Sequence, residues 1–393
     1  MSFRIFISNR EKWALGPFTD ASAPSGFGQQ AGIWLRLSPR PNSSLRSDFR
    51  CSQSVRRNRT SAGRLQEDNR RMQIMNELKI NKILSDTREV EKLLLLEKKR
   101  RGVSKNKLVF IGMADVADYY WCAMRSLLKN KEMELDYFSA YLHDRILYSL
   151  ELGYVKQLPK KKEDLLRIGD DITYNDIEKL LKEKAENQES NIHVCLASCI
   201  VTDKEGNEVM VINPDLPQEE RMYYEAQAKS EGIRVASPEE FPHIRGRFLG
   251  TTRAEQYPTI RWNFEWDEYV IIGVPDGITD NFVYEFKTTG SRFLMYYVKP
   301  VAFAQADLYG YFFRRDTKRV QIYIVEEGVT KTWEVGVDIN NALEILEEFK
   351  AIDEGAKPIP PKKWKCKTCE FKERCGLWRE TCLKSPPSSD YGR

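Results

Sequence analysis

The sequence predicts a mixed α/β protein, and three observations carry that reading. Apolar residues recur at helical spacing over 76–99, 114–129 and 135–152. Runs of β-branched and aromatic residues at 270–274, 282–286, 320–325 and 332–335 are short and read as strands. A further helical stretch, 293–313, lies between two of those runs, so helices stand before, among and after the strands. That order defines α/β, with α+β as the alternative.

Composition narrows the class. A chain of 393 residues has room for one large core or two modest ones, and its length favours two or three domains. Hydrophobic and charged fractions of 41% and 31% are those of a soluble globular protein. The net charge of +4 is too slight to argue nucleic-acid binding alone, because a groove can be basic on a nearly neutral surface. No apolar run approaches the ~20 residues that span a bilayer, so no membrane contact is expected. The N-terminus lacks a secretory apolar core, which makes a reducing, cytoplasmic setting the default. Eight cysteines in such a compartment call for metal or redox chemistry rather than a disulfide framework.

Along the chain, residues 1–75 are arginine-rich, scattered with Ser, Gly, Asn and Pro, and hold no lasting period. They read as disordered chain, as an organellar transit peptide, or as an over-extended start with Met72 or Met75 the true beginning. Residues 76–103 read as one basic amphipathic helix, whose Lys98 to Arg101 end is solvated or touches phosphate. The strand-like Leu108 to Ile111 and the two following helices form a first module over 104–158. Residues 159–250 read as an insertion of Lys- and Glu-rich helices plus a hairpin, Ile192 to Val201 and Val209 to Ile212, turning at Asp203 to Asn207. A helix over 217–231 ends at Gly232. The core follows over 251–353, with a strand at 261–266, a break at Pro300 and a helix over 340–352. Prolines 358, 360 and 361 introduce a cysteine-rich segment over 354–385.

Chemistry concentrates at Asp276, Glu285 and Lys287. The strands 270–274 and 282–286 are expected to pair as a hairpin reversing at Thr279 to Asn281, with Asp276 near Glu285. Alternation puts Glu285 and Lys287 on one face and Tyr284 and Phe286 on the other, towards packing. Two converging carboxylates repel unless a cation neutralises them, and hard oxygen ligands suit Mg²⁺ or Mn²⁺. Such an ion polarises a phosphate and activates a water, while Lys287 steadies charge growing on phosphoryl oxygen.

Pro275-Asp276 followed by Glu285-Phe286-Lys287 resembles the PD-(D/E)XK nuclease signature, and Gly273-x-x-Asp276 resembles its RecB-like branch. The resemblance implies a restriction-endonuclease-like core, a mixed central sheet flanked by helices, with phosphodiesterase activity. The branch also carries Gln-x-x-x-Tyr on the helix after the lysine strand, where Gln305 and Tyr309 stand one turn apart on one face. Its first motif places a metal-ligating His on an earlier helix. His143 fits by order, although Ser139 stands where the family often has Gly. His193 and His243 read as structural.

Cys366, Cys369 and Cys375 form a C-x₂-C-x₅-C pattern among lysines. Three thiolates cannot close a tetrahedral site, and ligand type alone admits zinc or an iron–sulfur cluster. CRISPR-associated RecB-like exonucleases and AddB-type nucleases, which the chain resembles from about Tyr119 to Cys375, join one early cysteine to three late ones around a 4Fe–4S cluster. The resemblance implies that Cys122 fills the early place, although Ala123 replaces the usual proline. Cys382 is the alternative fourth ligand and would favour zinc. Cys195 and Cys199 read as buried hydrophobes. The implied partners are DNA, single-stranded or with ends, and CRISPR adaptation proteins or DNA repair. The competing expectations are a non-catalytic DNA-end scaffold and a zinc-ribbon-like binding protein.

Overall fold

The computed structural model describes residues 3–7, 33–34, 61–102, 108–187, 196–203, 205–241, 244–245, 248–249, 253–367 and 369–380. Cys51, His193, Cys195, His243 and Cys382 lie outside the described residues.

The chain begins with β1 (Phe3–Ile7) and β2 (Ile33–Trp34), two strands where no period was expected. The single basic helix becomes two, α1 (Ser61–Leu84) and α2 (Thr87–Arg100). They divide at Asp86, whose side chain caps α2 by accepting the Arg88 N–H at 3.0 Å. After β3 (Val109–Gly112) and the short α3 (Met113–Ala117) comes α4 (Tyr119–Glu151). The two helices expected over 114–152 are thus one long helix and a preceding turn. Asn130 to Glu134 contains no Gly or Pro to break it. Only Cys122 departs from helical geometry, with φ −167° and ψ 114°.

Next come α5 (Tyr174–Glu186), β4 (Leu196–Thr202), β5 (Glu208–Ile212), α6 (Gln218–Ser230) and β6 (Arg234–Ala236). The β4–β5 hairpin is as expected, with Asp203 accepting the N–H groups of Glu205 and Asn207 across the turn. Gly232, at φ +69°, follows α6 where the sequence placed its end. Cys199 is fully buried, as a small hydrophobe. The segment 159–250 is not uniform. Ile177, Leu180 and Leu181 of α5 join the main core, whereas β4, β5, β6 and α6 bury two clusters of their own.

The rest of the chain forms β7 (Trp262–Trp266), β8 (Tyr269–Gly273), β9 (Gly277–Ile278), β10 (Phe282–Thr289), α7 (Arg292–Phe313), β11 (Thr317–Ile324), β12 (Val329–Gly336) and α8 (Ile339–Asp353). Helix α7 runs through Pro300 without ending. The bond this proline forgoes is to the carbonyl of Tyr296, an exposed residue where water can serve. Two short helices, α9 (Lys363–Lys367) and α10 (Gly376–Trp378), carry the cysteine segment.

The architecture is mixed α/β, with three small mixed sheets packed against helices. Their orders are β2-β1-β4-β5-β6, β12-β11-β10-β9 and β3-β8-β7. Strands β10 and β11 are parallel, so α7 is the crossover that parallel neighbours require. The expected 270–274/282–286 hairpin is corrected. Strand β8 pairs with β3 and β7, and the antiparallel partner of β10 is only the two-residue β9. The interruption has a local cause: the Phe286 N–H, which a longer partner strand would occupy, goes to the Asp276 carboxylate at 2.7 Å. Ile271, Val283, Leu308, Phe313 and Leu346 meet in the main core between the sheets and α7 and α8. No helix among the described residues is long and apolar enough to cross a membrane.

Candidate active site and cysteine cleft

Asp276 lies in the loop between β8 and β9. The loop is pinned by the Thr259 hydroxyl donating to the Pro275 carbonyl and by the Ile278 N–H donating to the Pro258 carbonyl, each at 2.7 Å. Its own bond to the Phe286 N–H ties it to β10 beside Glu285. On β10, Glu285 and Lys287 share a face and form an ion pair, while Tyr284 and Phe286 pack on the opposite face with Tyr323. The expected alternation is therefore observed.

Glu285 is 1% exposed, and its Oε2 has no hydrogen-bond partner. The Lys287 ammonium pairs with Oε1. Burial, aided by the nearby Asp276 charge and opposed by Lys287, pushes the Glu285 carboxyl up to about 8. For Lys287, burial opposes the charge, but Glu285 and Asp276 outweigh it and raise the ammonium's pKa. A buried carboxylate with one unpartnered oxygen, beside a second carboxylate, leaves a position that a cation fits.

Helix α7 brings two more groups. Gln305 Nε2 donates to the Tyr309 hydroxyl at 3.0 Å, whereas Gln305 Oε1 has no partner. Burial, followed by the field of Glu285, drives the Tyr309 phenol well above its ordinary value. Met113 and Tyr309 together crowd Gly273. A Cβ at that position would lie 3.3 Å from the Tyr309 ring and 2.7 Å from the Met113 methyl.

His143 faces a different set of partners. Its Nδ1 lies 3.1 Å from Asp144, which Arg261 grips through both Nε and Nη2. Arg261 precedes Trp262, the residue opposite Gly273 in the β7–β8 pairing. Among the described residues no three of His, Cys, Asp or Glu converge to hold a metal ion. The structure thus brings Asp276, Glu285, Lys287, Gln305 and Tyr309 together, whereas His143 pairs with Asp144 and, through it, Arg261. Sequence reasoning missed Asp144 and Arg261. The carboxylate next to His143 was the available signal.

Four cysteines among the described residues line a separate cleft, without converging closely enough to form a metal-holding group as they stand. Cys122, Cys366, Cys369 and Cys375 line one narrow cleft with Trp121, Arg125 and Lys365. None of the four is in a disulfide. Cys122 is extended where the long part of α4 starts. Burial raises its thiol pKa, while the backbone N–H groups of Arg125 and Met124 favour the thiolate. The Cys369 thiol is pushed up to about 11, burial being the main cause. Such thiols ionise readily only when a cation or cluster takes the charge. Arg125 spans the cleft wall, donating to Asp118 at 2.6 Å and to Glu370 at 3.1 Å, and Lys365 donates to the Trp121 carbonyl at 2.9 Å. These cross-links were not foreseen, although Arg125 stands one helical turn from Cys122.

No known protein family and no curated protein matches the chain. A solved structure titled "Crystal structure of SSO0001" aligns over 73% of this chain and 96% of that chain, at 14% identity and a TM-score of 0.30. That likeness is too loose to bear on fold or function.

Proposed function

We propose that the protein is a metal-dependent DNA nuclease of the PD-(D/E)XK type, resembling RecB-like enzymes with an iron–sulfur cluster, and that it acts on single-stranded or end-containing DNA. The observation that carries this reading is Glu285, a buried carboxylate paired through Oε1 with Lys287, unpartnered at Oε2 and held near Asp276. Asp276 and Glu285 are the groups that hold Mg²⁺ or Mn²⁺, and His143 is a further ligand in this reading. When bound, the cation supplies Lewis-acid polarisation of the phosphodiester. Lys287 keeps its proton and places a positive charge where phosphoryl oxygens gain negative charge. Gln305 and Tyr309 orient the substrate against that face, and Asp144 and Arg261 hold the His143 ring. Cys122, Cys366, Cys369 and Cys375 are the residues to hold a 4Fe–4S cluster, with Arg125 and Lys365 offsetting thiolate charge.

End-labelled single-stranded DNA with Mg²⁺ or Mn²⁺ tests the reading. The parent is expected to degrade it, and Lys287→Ala to lose roughly 10²–10³-fold in rate, as for removal of one charge-stabilising donor. Equal cleavage by both proteins overturns the assignment. Anaerobic purification tests the cysteine ligands separately: a brown protein with broad visible absorbance is expected, and a colourless one containing zinc refutes the cluster.

A further inference from the structure

The first turns of α7 follow directly on the loop that ends the Lys287 strand, and they carry large aromatic side chains in the open. Phe293 and Tyr296 are 63% and 67% exposed and stand three residues apart, on one helix face. Behind them the rings continue edge to face. Phe293 meets Tyr297 at 5.4 Å, Tyr297 meets Trp364 at 5.3 Å, and Trp364 meets Trp121 at 5.6 Å, beside Cys122. The strip therefore runs from the neighbourhood of Lys287 to the cysteine cleft.

Positive charge lines the same strip. Lys362 donates to the Tyr297 hydroxyl at 3.0 Å and sits 5.1 Å above that ring. Lys363 and Lys367 are exposed beside Trp364. Among the described residues no carboxylate pairs with Lys362, Lys363 or Lys367. Exposed π faces beside uncompensated ammonium groups fit a polyanion whose repeating units carry flat rings. Duplex DNA hides its base faces, an acidic peptide lacks repeated rings, and an apolar face of a second copy gains nothing from the lysines.

We infer that this strip is the track on which an unpaired DNA strand stacks its bases as it approaches Lys287. The inference rests on the nuclease reading for its choice of DNA, and it assigns Phe293 and Tyr296 as the stacking residues and Lys362 and Lys363 as phosphate contacts.

Binding without cleavage separates the two ideas. Full-length Lys287→Ala protein is titrated with a fluorescent oligothymidylate, an abasic strand of equal length and a duplex. Parent protein in EDTA provides the same measurement should the variant misfold. Adding Phe293→Ala with Tyr296→Ala is expected to weaken oligothymidylate binding about tenfold or more, and to leave the abasic strand unaffected. Phe293→Trp with Tyr296→Trp is expected to retain binding. Unchanged oligothymidylate affinity in the alanine pair overturns the track, and so does an equal loss on the abasic strand. A lost oligomer in sedimentation with unchanged DNA affinity assigns the strip to a second copy and also refutes it. Failure of the nuclease reading shows elsewhere, as DNA that binds this strip and is never cut.

Discussion

At Glu285, burial and ionisation pull in opposite directions, with a direct consequence for stability. In the unfolded chain this carboxyl loses its proton near 4.5, and in the fold near 8. Between those values the native state keeps a proton that the unfolded state has released. Raising the pH through that window therefore withdraws stability, and the loss is complete above about 8. In metal-free protein, Glu285→Gln is expected to melt above the parent at pH 9 and to match it at pH 4. Calorimetry across that range checks the sign. Mg²⁺ is expected to raise the parent's Tm and to leave Glu285→Gln nearly unmoved, because only the carboxylate gains from the ion. At this scale the sequence was informative. Strand alternation aligned Glu285 with Lys287, and one helical turn aligned Gln305 with Tyr309. The pairing of His143 with Asp144, and of Asp144 with Arg261, depends on contacts that no local period encodes.

Helix α7 owes its seat to a glycine. A Cβ on Gly310 would fall 2.3 Å and 2.8 Å from the two methyl groups of Val337, a β-branched side chain with little freedom to turn away. Gly310→Ala is expected to cost about 1–3 kcal/mol by overpacking, and to lower cleavage because Gln305 and Tyr309 ride on the same helix. Gly336→Ala, where the nearest atom is 3.9 Å away, is the matched control with an unchanged Tm. Element types were largely legible, but partners were not. The run at Val270 reads as a strand in any arrangement, yet its neighbours are β3, far back in sequence, and β7. The fusion through Pro300 was hidden for a similar reason: whether a lost helix bond matters depends on whether water reaches the freed carbonyl.

Across the whole molecule, the cysteine segment is fastened to the start of α4 by the Arg125–Glu370 ion pair and the Lys365 bond to Trp121. If a cluster occupies that cleft, removing one ligand loosens both ends of the core. Cys366→Ser is expected to abolish the visible absorbance and to lower the Tm of the entire protein, whereas loss of colour with an unchanged Tm would confine the cluster to a local role. The cysteine pattern was visible in the sequence. Its docking site was not, because the contacts join residues 245 positions apart.

That separation also sets an order of assembly. Asp276, Glu285, Lys287, Gln305 and Tyr309 come from one compact stretch of chain, so their neighbourhood closes through short loops. Bringing Glu370 to Arg125 closes a span of 245 residues, at an entropic cost of about 5 kcal/mol beyond the smallest loop. A ribosome delivers the N-terminal partner first and the C-terminal one last. The residues of the acidic centre are therefore all synthesised before Glu370 can reach Arg125 and fasten the cysteine cleft.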